Sequence, residues 1–193
     1  MAKQLPNNSE LPSLSRRQIL VAMAVTAVVL LIIAKLWIRF YQISMLPVSL
    51  AIDNLLLGVA LGIGISISSG IVYRLWTKYR ESADFYLELV LKPLTFLDLI
   101  WLGLLPGMSE ELLFRGVMLP AFGLNIIGLS ISSVCFGVLH LSGKEQWPYV
   151  VWATIVGFAL GFSALATGNL LVPIVAHIIT NLISGSLWKL DNR

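Results

Sequence analysis

Three short patterns set chemically capable side chains in apolar surroundings: Glu110-Glu111-Leu112-Leu113-Phe114-Arg115, Phe136-Gly137-Val138-Leu139-His140 and His177-Ile178-Ile179-Thr180-Asn181. An ionisable group in hydrocarbon costs at least about 2.5–3.5 kcal/mol, so it needs a partner or a function. On a helix, Glu111 and Arg115 are four apart, share a face and can form a structural ion pair in the favourable order. Glu110 points about 100° away from Glu111 and is left without that partner. One glutamate would be enough to tie helices together through Arg115. The second is the informative residue, because a carboxylate without a counter-ion is what a general base requires.

His140 and His177 are the chain's only two histidines, and both lie within apolar runs. His177 and Asn181 are one helical turn apart on one face and can address a common target. Phe136 shares a face with His140, where it can shield the ring from water or simply pack. Peptide-bond hydrolysis needs an activated water and donors for the developing oxyanion. Glu110 with His140 can polarise the water, and His177 with Asn181 can supply the donors. Alternatively, His140, His177 and Glu110 can hold one divalent metal, zinc, with its water. No His-Glu-x-x-His pattern is present, so the metal version requires three distant segments to meet. Asp53 and Asp98, near expected membrane boundaries, read as solvated interfacial carboxylates. The single Cys135 can form no internal disulfide and carries no pattern marking a nucleophile.

The elements that must position these residues are membrane helices. Of 193 residues, 58% are hydrophobic and 12% charged, and the mean hydropathy is +0.88. Soluble domains carry roughly 25% charged residues, so an ordinary soluble enzyme and a disordered chain are both excluded. At about 20 residues per span there is room for roughly six or seven crossings. The expected fold is an all-α, polytopic transmembrane bundle of about six segments, with the catalytic core in the C-terminal four. Residues 1–17 read as a soluble tail. Residues 18–92 read as N-terminal transmembrane helices and a cytoplasmic loop. In that region 58–70 is rich in Gly and Ser, which permits close helix approach without naming a partner. The charged stretch 77–91 reads as a loop or an interfacial helix. Residues 93–188 form the core, in runs 93–120, 124–141, 148–166 and 170–188.

The formal net charge of +3 comes from basic residues that flank apolar runs, so it reads as a topology signal and not as nucleic-acid binding. With the N-terminus inside, the inner side holds Arg16, Arg17, Arg74, Lys78, Arg80 and Lys92, with Lys3, Lys144, Lys189 and Arg193. The outer side holds only Lys35 and Arg39. Both termini are expected in the cytoplasm, and the short loops fit a bacterial plasma membrane.

Depth poses a problem. A straight helix starting at Pro93 would carry Glu110 about 25 Å along its axis, far from His140 near the inner end of its own run. The sequence therefore predicts a break at Pro106-Gly107, with a new helix capped by Ser109.

In their order and spacing, Glu110-Glu111-x-x-x-Arg115, Phe136-x-x-x-His140 and His177-x-x-x-Asn181 resemble the CPBP family. This family comprises CAAX prenyl endopeptidases of type 2 and bacteriocin-processing or bacteriocin-immunity membrane proteins, also called Abi. The resemblance covers about 93–188, half the chain. It implies an intramembrane endopeptidase acting on a membrane-associated protein or peptide within the lipid bilayer. Glu110 would activate water with help from His140, and His177 with Asn181 would support the oxyanion. Family members are commonly called metalloproteases, and a metal-independent glutamate mechanism is also argued. The rival readings are a non-catalytic scaffold or immunity protein that uses the polar cluster structurally, and a proton-coupled transporter. The absence of an internal repeat counts against the transporter.

Overall fold

A computed structural model describes residues 14–192. The tail expected over 1–17 lies outside the described residues except for its last four, as do Lys3 and Arg193. The described residues contain helices and no strand: α1 (Arg16–Tyr41), α2 (Ile52–Leu75), α3 (Thr77–Leu91), α4 (Leu99–Glu111), a π-helical stretch (Leu112–Met118), α5 (Leu119–Phe122), α6 (Ile126–Leu139), a 3₁₀ turn (Lys144–Gln146), α7 (Trp147–Thr167) and α8 (Leu171–Asp191). Four helical stretches are long and apolar enough to cross a membrane: Arg16–Tyr41, Ile52–Leu75, Lys144–Thr167 and Leu171–Asp191. Two more apolar segments complete a bundle close to the expected count. One is the rod in which α4, the π stretch and α5 follow without interruption; the other is the 14-residue α6. The stretch 77–91 is a helix.

Local chemistry accounts for the ends of these elements. Ser15 and Gln18 form a reciprocal capping box at the start of α1. The Asn125 side chain accepts from the backbone N–H groups of Ile127 and Gly128 to open α6. Gly168 closes α7 at φ 61°, a left-handed conformation suited to glycine. On α1 only Ile19, Ala27, Leu30 and Ala34 are buried. The exposed Val25, Val28, Ile32 and Leu36 present an apolar surface of the kind lipid covers.

The small-residue face of α2 finds its partner in α8. A Cβ at Gly58 would stand 2.7 Å from Val175 Cβ, and one at Gly62 would stand 2.7 Å from the Ala176 carbonyl oxygen. From the other side α4 approaches α8 as closely, since a Cβ at Gly107 would lie 2.6 Å from Ile178 Cγ1. Each pair, Gly58/Gly62 and Gly103/Gly107, is spaced by four residues, so the backbones meet along a strip. Helix α8, which carries His177, is thus clasped between two glycine faces.

The expected break at Pro106-Gly107 is absent. Helix α4 runs through Pro106, and Ser109 caps nothing; its hydroxyl donates to the Leu105 carbonyl at 2.7 Å, one turn back. The depth problem is solved by shorter elements. Because α4 starts at Leu99, Glu110 lies only about 17 Å along it, and α6 ends at His140 after about 21 Å. A proline inside a helix deprives the carbonyl four residues earlier of its donor, and here another segment supplies the replacement. Asn181 Nδ2 donates to the Leu102 carbonyl at 3.3 Å, the acceptor Pro106 leaves open. At the far end of the rod the Leu46 backbone N–H donates to the Gly116 carbonyl at 3.3 Å. Gly116 makes the second contact feasible, since a Cβ there would sit 3.0 Å from Leu170 Cδ1 and 3.2 Å from Met45 Cγ.

Asp98 departs from the expectation of a solvated carboxylate; it is only 3% exposed. Arg16 grips it bidentately, Nε to Oδ2 and Nη2 to Oδ1, both at 2.7 Å. The Thr95 backbone N–H and hydroxyl also donate to Oδ2. Asp53 is exposed, as expected of an interfacial carboxylate.

Candidate active site

The site is built where the rod, α6, α7 and α8 meet. Glu110 and Glu111 are both buried, and they serve different neighbours. Glu111 Oε1 accepts from Arg115 Nη1 at 2.8 Å and from His177 Nδ1 at 2.8 Å. Arg115 is fully buried; its Nη2 donates to the Gly157 carbonyl of α7 at 2.9 Å, and its guanidinium lies 4.3 Å from the Phe136 ring centroid. This one cation therefore ties the rod to α6 and α7, while Glu111 ties the rod to α8. A buried ion pair persists when further hydrogen bonds offset its desolvation; the bonds from His177 and to Gly157 do this in part, while Glu111 Oε2 and Arg115 Nε stay unbonded among the described residues.

Glu110 turns elsewhere. Its Oε2 has no hydrogen-bond partner among the described residues and faces His140 Nε2 at 3.9 Å. His140 caps the C-terminus of α6, with Nδ1 set 2.9 Å from the Phe136 carbonyl. That carbonyl is only an acceptor, so Nδ1 carries the hydrogen, and a neutral His140 presents a lone pair at Nε2. Two acceptors then confront each other across 3.9 Å. The same logic fixes His177: Nδ1 donates to Glu111, and Nε2 is the free nitrogen.

Phe136 sits among these groups. Its ring centroid is 4.9 Å from that of His140, 5.7 Å from that of His177 and 5.6 Å from that of Phe114. It packs and shields together, the two roles its spacing to His140 allowed.

Glu110, His140, His177 and Asn181 all line one cavity of about 1020 Å³. The structure thus gathers these four residues, which lie far apart in sequence, around a single hollow, while Glu111 and Arg115 are packed behind it. The sequence reading missed the aromatic wall. Tyr86 of α3 stacks on Tyr149 of α7 with centroids 4.9 Å apart, and these rings lie 6.5 Å and 6.0 Å from His140. A signal was present, for Tyr79, Ser82, Ala83 and Tyr86 recur at helical spacing. Ser82 anchors that face by donating to Gln146 Oε1 at 2.7 Å.

The metal alternative makes a separate demand, convergence of donors. Among the described residues no three His, Cys, Asp or Glu side chains are grouped so as to hold a metal ion. Both Nδ1 atoms are already engaged, and Glu110, His140 and His177 share the cavity without forming such a group.

A helical bundle thus sets a carboxylate, two imidazoles and an amide around one open cavity. Residues 92–183, just under half of the chain and the part that carries the site, match the family model described as type II CAAX prenyl endopeptidase Rce1-like. Two relatives from Bacillus subtilis (strain 168) are similar, both described as uncharacterized proteins. YpbD is 38% identical over 85 residues, 44% of this chain and 42% of the relative. YyaK is 37% identical over 82 residues, 38% of this chain and 27% of the relative. The chain thus spans less than half the length of either. No solved structure matches it. With its apolar helices and this family match, the protein is an integral membrane protein.

Proposed function

We propose that the protein is an intramembrane endopeptidase of the CAAX-protease kind, hydrolysing a peptide bond of a membrane-associated protein or peptide. The observation that carries this reading is the opposition of Glu110 Oε2 and His140 Nε2, 3.9 Å apart at the cavity wall. Two lone pairs at that separation are matched by a molecule with two O–H donors, and water is the one that hydrolysis consumes.

In this mechanism Glu110 takes a proton from the water as its oxygen attacks the scissile carbonyl carbon, and His140 holds the other O–H. The carbonyl oxygen becomes the oxyanion of a tetrahedral intermediate. His177 stabilises it by donating from Nε2. That donation requires hydrogens on both ring nitrogens, a cation for which Glu111 is the counter-ion. Glu110 then passes its proton to the leaving nitrogen, the C–N bond breaks, and a carboxylic acid, keeping the second O–H of the water, and an amine depart. A cavity of about 1020 Å³ has room for a peptide segment on the scale of small-molecule sites, which occupy about 300–1,000 Å³. Placement in a bacterial plasma membrane with both termini cytoplasmic belongs to the same proposal; the short loops support the membrane and the distribution of Lys and Arg the orientation.

The test compares peptide termini in membranes carrying wild type or Glu110→Gln, with metal analysis of the purified protein. New termini that appear only with wild type support the reading. Identical termini, with both proteins inserted and folded, overturn it in favour of a scaffold or immunity role.

A further inference from the structure

We infer that Asn181 is a positioning residue: it sets the register of α4 against α8, and so of Glu110 against His177, by replacing the hydrogen bond that Pro106 removes. This deepens the proposed function and rests on it only for the activity readout.

Three observations converge. Pro106 lies inside α4 and has no N–H, so the Leu102 carbonyl loses its helical donor. Asn181 Nδ2 donates to that carbonyl at 3.3 Å across the helix interface. Around this bond the two backbones are pressed together: a Cβ at Gly103 would stand 3.1 Å from Leu182 Cγ, and one at Gly107 would stand 2.6 Å from Ile178 Cγ1. Ile178, Asn181 and Leu182 form one face of α8, and Leu102, Gly103, Pro106 and Gly107 form the facing strip of α4. The strip leads within one turn to Glu110, and Asn181 lies one turn beyond His177. The Leu102 carbonyl is half-buried at the cavity wall, and a carbonyl that loses its donor beside apolar side chains is costly. It therefore draws α4 towards the single register in which the amide reaches it.

The inference makes Asn181 dispensable once the helix can supply its own donor. Wild type, Asn181→Ala, Pro106→Ala and the double variant would be purified as full chains in detergent micelles and compared by melting midpoint. Their membranes would be profiled for peptide termini, with Glu110→Gln as the blank. Asn181→Ala alone is expected to lower the midpoint by about 2–4 °C, the shift for one hydrogen bond in a chain of this size, and to reduce cleavage. In the Pro106→Ala background both losses should shrink by more than half, because the alanine restores a backbone N–H that can bond the Leu102 carbonyl. Should Asn181→Ala fail to fold alone yet fold with Pro106→Ala, the inference is supported; failure in both backgrounds overturns it. Undiminished loss of cleavage in the Pro106→Ala background also overturns it, in favour of an amide that acts on the oxyanion. If wild type itself generates no termini, the peptidase reading fails while the melting comparison still decides the role of Asn181.

Discussion

Glu111 and His177, 66 residues apart in sequence, are joined by a 2.8 Å hydrogen bond from Nδ1 to Oε1, and the same oxygen also receives Arg115. The carboxylate of Glu110, the preceding residue, makes no hydrogen bond among the described residues and sets its Oε2 3.9 Å from His140 Nε2. The paired glutamates thus divide two tasks, one holding the bundle and the other facing the cavity.

That division makes their substitutions behave oppositely. Glu111→Gln leaves the Arg115 guanidinium buried without its counter-ion and should destabilise the protein by about 3–5 kcal/mol. Glu110→Gln removes an unpartnered buried charge, so its melting midpoint should equal or exceed that of wild type. Cleavage should nonetheless fall by at least about 100-fold, the lower end of what a general base contributes. Thermal melting in micelles beside terminus profiling reads both effects. A Glu110→Gln protein that melts as early as Glu111→Gln would contradict the division.

The glycines of α2 provide an internally controlled comparison. Gly62→Ala would push a methyl group to 2.7 Å from the Ala176 carbonyl oxygen, whereas Gly64→Ala meets nothing within 4 Å. The first should cost about 1–3 kcal/mol through overpacking. The second should be neutral or stabilising by up to about 1 kcal/mol, from helix propensity. Equal effects would show that α2 does not seat on α8 along this strip.

Asp98 gives a pH-dependent contribution. The Arg16 guanidinium, followed by Thr95, holds its carboxyl well below the usual carboxylate range, against the opposing effect of burial. A carboxyl lowered in the folded state stabilises fully above its unfolded value near about 3.9, and that stability is lost as pH falls through the folded value. The melting difference between wild type and Asp98→Asn should therefore be constant at neutral pH and shrink on acidification below about pH 4. A difference that stays flat down to about pH 2 would remove Asp98 from the acid response.

Chelation bears on the chemistry itself. A side-chain mechanism predicts that extensive dialysis against a chelator leaves cleavage in wild-type membranes unchanged. Loss on chelation, with recovery on adding zinc, would show that Glu110, His140 and His177 regroup around a metal.

What could be foreseen from the sequence followed from local geometry. The Glu111–Arg115 spacing was legible because residues four apart on a helix face each other, and the apolar runs located the helices. The error at Pro106 came from applying a sound local rule without its remedy, since the replacement donor on Asn181 lies 79 residues away. Asp98 was misjudged for the same reason, its Arg16 partner being 82 residues distant. The glycines of α2 announced close contact but not with whom, because small residues fit any smooth helix. Nothing in Leu112–Met118 announced π winding, for that depends on how the rod meets its neighbours.

The π winding has a consequence for tolerated change. Such a turn contains one residue more than an α turn needs. Deleting a single residue from Leu112–Met118 would let the rod rewind as ordinary α-helix while the flanking helices kept their orientations. An equivalent deletion between Gly103 and Gly107 would swing everything beyond it by about 100°. Natural single-residue deletions along the rod should therefore concentrate in this stretch, where losing a residue need not rotate the helices that flank it.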